Sequence, residues 1–172
     1  MFERYTEKAR LVIFFARFQA TRSGSPCIET EHLLLGLLHE SHETMRLLPR
    51  DSEESIRKQI DARTNVPPGA STSVDLPLSN ESKRALAYAA EEAERLAHRH
   101  IGAEHLLLGL LREQRCFAAE ILRERGVSLE KLREHFAKVS TAEAGAVPRF
   151  RPHDVGLKFM GSPGTPTRSA SA

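Results

Sequence analysis

The chain has 172 residues, 40% of them hydrophobic and 28% charged, with 25 Lys and Arg against 23 Asp and Glu. That length can bury a self-supporting core without disulfides, and the near balance of charge argues against an acidic disordered chain or a basic nucleic-acid-binding domain. Cys27 and Cys116 show neither C-x-x-C nor Cys/His spacing, so no metal, cofactor or disulfide framework is expected, and reduced thiols point to the cytoplasm.

Near the start, Thr6 precedes an amphipathic stretch. Its hydroxyl suits an N-cap, and Ala9, Val12, Ile13, Ala16 and Ala20 follow at the spacing of one helical face. Leu11, Phe14, Phe15 and Phe18 form a second apolar stripe on roughly the opposite face, so this helix is covered on both sides or used for binding. The apolar run from Leu11 to Ala16 is far shorter than the ~20 residues that cross a bilayer, and no membrane association is expected. A second helix begins near Glu31 and carries Leu33-Leu34-Leu35-Gly36-Leu37-Leu38. Its interior glycine costs about 1 kcal/mol relative to alanine and predicts close approach of a neighbouring helix. Met45 to Leu48 reads as a short third helix ended by Pro49, and Ser52 begins a fourth with Ile56 and Ile60 inward.

Residues 63–78, with Pro67, Pro68, Gly69 and Pro77, read as a linker. The pattern then recurs: Glu31-His32-Leu33-Leu34-Leu35-Gly36-Leu37-Leu38 returns letter for letter, 73 residues on, as Glu104-His105-Leu106-Leu107-Leu108-Gly109-Leu110-Leu111. In the same register Ser79 matches Thr6, Leu86 matches Ile13, Ala89 matches Ala16 and Ile101 matches Ile28. This is a tandem duplication. The apolar stripe is not duplicated, because Arg84, Ala87, Tyr88 and Glu91 stand in its place. Copy two continues through Phe117–Leu122, a stop at Gly126 and a last helix capped by Ser128, with Leu129, Leu132 and Phe136 inward. Residues 142–172 are rich in Pro, Gly and Ser and read as a mostly disordered tail, within which Val155, Leu157 and Phe159 could dock in extended form. The tail is basic, through Arg149, Arg151, Lys158 and Arg168, which leaves a scaffold or weak nucleic-acid-binding role as the alternative reading.

The doubled pattern Thr6 … Ile28-x-Thr30-Glu31-His32-Leu-Leu-Leu-Gly-Leu-Leu and Ser79 … Ile101-Gly102-Ala103-Glu104-His105-Leu-Leu-Leu-Gly-Leu-Leu resembles the Clp N-terminal (Clp repeat) domain of ClpC-type AAA+ unfoldases over residues 1–140. The resemblance implies an all-α fold of two tandem four-helix Clp repeats, residues 1–62 and 79–141, packed with pseudo-twofold symmetry. It also implies no catalysis, and partners that are a Clp unfoldase, a protease, an adaptor or a marked substrate protein. The ATPase rings of the family would begin where this chain ends, and no G-x-x-x-x-G-K-[ST] loop is present, so a free-standing recognition module is expected.

In ClpC-type domains the motif glutamates recognise phosphoarginine, which here implicates Glu31 and Glu104, with Thr6 and Ser79 starting the other helix of each site. A carboxylate grips a guanidinium through parallel hydrogen bonds, and unpaired N–H groups at a helix start favour a phosphate. Copy two is the better match, because Glu29 in copy one would repel a phosphate. The sequence also leaves the reading that both glutamates simply favour a helix dipole. Leu11, Phe14 and Phe18 are expected to form a partner-binding surface, covered by the tail, a partner protein or a second copy in a homodimer. His39-x-x-His42 and the histidines around His105 lack zinc-site spacing, and His32 and His105 are expected to make structural hydrogen bonds at the helix starts.

Overall fold

The computed structural model describes residues 3–49, 52–63 and 76–145. The described residues form eight helices: α1 (Glu7–Arg22), α2 (Thr30–Glu40), α3 (His42–Met45), α4 (Ser52–Arg63), α5 (Asn80–Arg95), α6 (Ala103–Arg112), α7 (Phe117–Glu124) and α8 (Leu129–Gly145). The fold is all-α, with two copies of a four-helix unit in which α1–α4 correspond to α5–α8. The expected docking segment at Val155, Leu157 and Phe159, like most of the tail and of the linker, lies outside the described residues.

The long first helix of each copy starts where its hydroxyl predicts. Thr6 Oγ1 accepts from the Ala9 N–H at 3.2 Å, and Ser79 Oγ from the Ser82 N–H at 3.1 Å. Each cap satisfies a donor that has no partner inside the helix. Helices α2 and α6 form the centre. In α2 every residue from Thr30 to Leu38 is buried, and α6 is buried nearly as completely, as a helix apolar on all sides requires.

Each first helix crosses its second helix at the motif glycine. A Cβ on Gly36 would collide with the Val12 carbonyl oxygen, and one on Gly109 with the Ala85 carbonyl oxygen, lying also 2.9 Å from the Ala89 nitrogen. The residues that meet these glycines, Val12 and Ala16 on α1 and Ala85 and Ala89 on α5, are all buried. The helix-propensity cost of the glycine is thus offset by backbone contact that no other residue permits.

The copies are joined reciprocally by backbone bonds. The Thr6 N–H donates to the Ile101 carbonyl at 2.9 Å, and the Ile101 N–H to the Arg4 carbonyl at 2.8 Å. In mirror fashion the Ser79 N–H donates to the Ile28 carbonyl at 3.0 Å, and the Ile28 N–H to the Pro77 carbonyl at 2.8 Å. Isolated parallel bridges Tyr5–Ile101 and Ile28–Leu78 mark this exchange and express the pseudo-twofold symmetry. Leu76 is buried beside it, so the last residues of the linker are packed against copy one.

The units differ where their sequences differ. Helix α3 is a single turn that starts at His42, earlier than the Met45 start read from sequence, whereas α7 has 8 residues. Phe15 and Tyr88, which share a register position, each meet a partner within their own copy. The Phe15 ring stacks on His39 at 3.8 Å, and the equivalent Tyr88 lies under the Arg112 guanidinium at 4.5 Å. Copy two buries an ion-paired carboxylate where copy one has Gln19. Glu92, fully buried, accepts from Arg133 at 2.8 Å and Arg112 at 3.1 Å, tying α5 to α6 and α8. Burial opposes its ionisation, but these two arginines outweigh it and hold the carboxyl below the usual range. Among the described residues no helix is long and apolar enough to cross a membrane.

The glycine contact gives a direct test. Gly109→Ala gains helix propensity of about 1 kcal/mol but forces α5 off α6, an overpacking cost of roughly 1–3 kcal/mol or more. A lowered urea midpoint is expected; an unchanged or raised midpoint would show that the close approach does not constrain the fold.

Candidate functional site

The motif histidines organise the loops that precede α2 and α6. His32 Nδ1 accepts from the Glu29 N–H at 3.0 Å, and His105 Nδ1 from the Gly102 N–H at 2.8 Å. The proton on each ring therefore sits on Nε2, which faces Ser23 Oγ at 3.1 Å in copy one and His98 Nδ1 at 2.8 Å in copy two. Burial lowers both imidazole pKa values, that of His105 to about 4, with the neighbouring His98 adding to the effect. These are neutral structural groups, as the sequence suggested. His98, Glu104 and His105 place three ligand atoms within 4.8 Å of one another, yet both ring nitrogens of His105 already serve in hydrogen bonds of the loop.

The two motif glutamates differ sharply. Glu31 is only 8% exposed. Burial chiefly, then the charge of Glu29 and a hydrogen bond with its carboxyl, push the Glu31 carboxyl up to about 7, against the pull of its own backbone N–H and of Arg63. The Glu104 side chain is 34% exposed and folds back, with Oε1 3.3 Å from His105 Nδ1. Glycine makes that fold possible, because a Cβ at position 102 would sit 2.6 Å from the Glu104 carboxyl carbon. Copy one has Glu29 at that position, and there Glu31 is buried.

Glu31 faces a cavity of about 440 Å³ assembled from both copies. The Ser23–Pro26 loop and Glu29 form one side, Arg63 at the end of α4 another, and Glu81 of α5 with Arg115, Phe117 and Glu120 around the start of α7 the rest. The Arg63 guanidinium lies over the Phe117 ring, 4.1 Å from its centroid. Sequence reading singled out Glu29 and Glu31 and missed the other charged residues, because they come from four separate elements with no shared spacing.

The predicted hydroxyls are exchanged between copies. Backbone bonds place Thr6 beside the copy-two loop at Ile101 and Ser79 beside the copy-one loop at Ile28. Thr6 is thereby bonded to the loop that leads into Glu104, and Ser79 to the loop that leads into Glu31.

Residues 4–87 and 77–152 match the family model described as the Clp repeat (R) N-terminal domain. The chain belongs to the Clp repeat N-terminal domain family. This Clp repeat domain is 36% identical over 155 residues to an ATP-dependent Clp protease ATP-binding subunit ClpA homolog of Guillardia theta, covering 85% of the chain and 18% of that protein. It is also 36% identical over 156 residues to the chloroplastic chaperone protein ClpC1 of Oryza sativa subsp. japonica, covering 85% of the chain and 16% of that protein. The chain thus spans less than a fifth of the length of these relatives. Among solved structures, the N-terminal domain of the Clp-associated chaperone ClpD of Arabidopsis thaliana superposes with a TM-score of 0.65 at 27% identity, covering 83% of this chain and 99% of that one.

The domain's second predicted surface is open among the described residues. Leu11, Phe14 and Phe18 on α1 are 38%, 61% and 54% exposed. Their counterparts on α5 are ionic or small, with Arg84 paired to Glu113 at 2.8 Å.

The raised Glu31 carboxyl sets a pH signature. Its folded value of about 7 exceeds the unfolded one, so the folded chain holds a proton that the unfolded chain releases, and stability falls as pH rises from about 5 to 8. Glu31→Gln removes that loss. The melting temperature of the variant relative to wild type is expected to rise between pH 5 and pH 8; a constant difference would place the Glu31 carboxyl in an ordinary environment.

Proposed function

We propose that this Clp repeat domain is a non-catalytic binding module of Clp-dependent proteolysis, acting in the cytoplasm on adaptor or substrate proteins. Its motif carboxylates receive the guanidinium of an arginine mark, with phosphoarginine recognised through Glu104 and the neighbouring helix start capped by Thr6. The observation that supports this reading is the exchange between copies: the loop that leads into each motif glutamate is hydrogen-bonded to the start of the helix capped in the other copy. On this reading the carboxylate receives the guanidinium and the N–H groups of the helix start receive the phosphate. The match to the Clp repeat family and the likeness to the ClpD N-terminal domain support the same role.

The exposed trio Leu11, Phe14 and Phe18 favours a second contact surface, for a partner protein, the tail or a second copy. It lies on copy one alone, so it would orient the module on a larger assembly rather than serve both sites.

Calorimetry with phosphoarginine tests the central reading. A charge-assisted bidentate contact is worth about 1.5–3 kcal/mol, so Glu104→Ala is expected to weaken binding roughly 10- to 100-fold. Equal binding by wild type and Glu104→Ala would remove Glu104 from the site.

A further inference from the structure

The outer face of α1 has the spacing of a helix-pairing seam. Leu11, Phe14 and Phe18 fall at the a, d and a positions of a heptad, and all three are exposed among the described residues. Phe15 follows at the adjoining e position, stacked on His39 of α2, and its ring meets that of Phe14 edge-on at 5.7 Å. Phe14 thus stands against an aromatic neighbour that α2 holds in place.

Cations edge this seam. At about 100° per residue, Arg10 and Arg17 fall along one side, at the g positions, and Lys8 and Arg22 along the other, at the e positions. Lys8, Arg10 and Arg22 are exposed, and neither Arg10 nor Arg22 makes an ion pair among the described residues. In the 73-residue register the same positions of α5 are Lys83, Ala90, Glu81 and Arg95, so four cations become two cations and one anion. Arg84, which stands in place of Leu11, is paired with Glu113. Copy two balances charge on its own surface; copy one presents an apolar line between two basic edges.

The edges select the occupant, because e and g residues decide which helix a seam accepts. A second copy of α1 is refused in either direction. Antiparallel, g meets g and e meets e, which sets Arg10 against the second copy's Arg17 and Lys8 against its Arg22; parallel, Arg17 meets the second copy's Arg22. The tail fits no better, since residues 149–159 carry Arg149, Arg151 and Lys158 against Asp154 alone. An anionic lipid surface would meet Glu7, which lies on the line of the seam one turn before Leu11. A helix with apolar a and d residues and carboxylates at e and g complements both edges.

We propose that the outer face of α1 docks an amphipathic α-helix of a partner protein whose apolar seam is edged with aspartate or glutamate. Leu11, Phe14 and Phe18 take the seam, and Arg10, Arg17, Lys8 and Arg22 take the acidic edges. Because α5 lacks the seam, one module takes one such helix. The inference rests on the reading of the exposed trio as a contact surface and names its occupant; it does not depend on the motif glutamates.

The test uses the full chain and two synthetic helical peptides of three heptads, with Leu at a and d and Ala at b, c and f. One carries Glu and the other Lys at every e and g position. In calorimetric titrations at low salt the Glu peptide is expected to bind one to one and the Lys peptide not to bind. Phe14→Ala, at an exposed position and with melting temperature checked against wild type, is expected to weaken the Glu peptide at least roughly tenfold. Arg10→Glu with Arg22→Glu is expected to weaken the Glu peptide and admit the Lys peptide. The inference is overturned if the Glu peptide does not bind, if both peptides bind alike, or if binding ignores Phe14→Ala. Sedimentation of the chain alone and with phosphatidylserine vesicles covers the other occupants. If the Glu peptide fails while self-association or vesicle binding is lost in Phe14→Ala, the inference is overturned and the trio remains a contact surface. If Phe14→Ala changes none of the three, the contact-surface reading falls with it.

Discussion

Two pairs of backbone hydrogen bonds carry each copy's first helix start to the loop of the other copy, and the geometry of both sites depends on them. Thr6 is held to Ile101 and Arg4 to the same residue, while Ser79 and Pro77 are held to Ile28. Side chains reinforce the exchange: Gln59 of α4 donates to Glu124 of α7 at 2.9 Å, and Arg125 reaches back to Ser55 and Gln59, each at 3.0 Å. Neither loop could hold its shape alone, because its carbonyl and N–H groups would lose their partners on separation. The motif glycines act inside this frame, setting the depth at which α1 meets α2 and α5 meets α6.

On that shared frame the copies have diverged at a few positions, and each change has a visible physical result. Glu31, which follows Glu29, is buried, whereas the Glu104 side chain lies against Gly102 and is 34% exposed. An alanine, Ala97, holds the positive φ of 57° at the end of α5 that Gly24 holds after α1, and His98 fills the role at the motif histidine that Ser23 fills in copy one. Helix α1 carries exposed phenylalanines where α5 carries ion pairs. The packed positions repeat between the copies and these loop and surface positions do not, as expected when a duplicated unit must keep its packing.

Much of the fold is legible in the sequence because its determinants are local. Thr6 and Ser79 announce helix starts, the 3-and-4 spacing of Ala9, Val12, Ala16 and Ala20 announces the buried face, and the exact repeat announces two units. Even the tight helix crossing is foreshadowed by two interior glycines. The exchange between copies is not legible, since nothing in the spacing of Thr6 or Ile101 says which loop meets which helix. The same limit hid the cavity around Glu31, whose charged lining comes from α4, α5 and α7 as well as the motif loop. Comparison of the copies flagged Glu29 as a departure, but the burial of Glu31 and the contact of the Glu104 carboxylate with Gly102 are tertiary features that spacing does not encode. The register match of Phe15 to Tyr88 does not announce the stacking of Phe15 on His39, a tertiary contact that pattern alone does not encode.

Native-state hydrogen exchange of the Thr6, Ile28, Ser79 and Ile101 amides tests most directly whether the two copies form one cooperative unit through their exchanged segments. The account predicts that these four amides exchange only through global unfolding, with the same opening free energy and denaturant dependence as the central amides of α2 and α6. Exchange of the four at markedly lower free energy, with the α2 and α6 amides still protected, would contradict it and would make the copies independent units that merely touch.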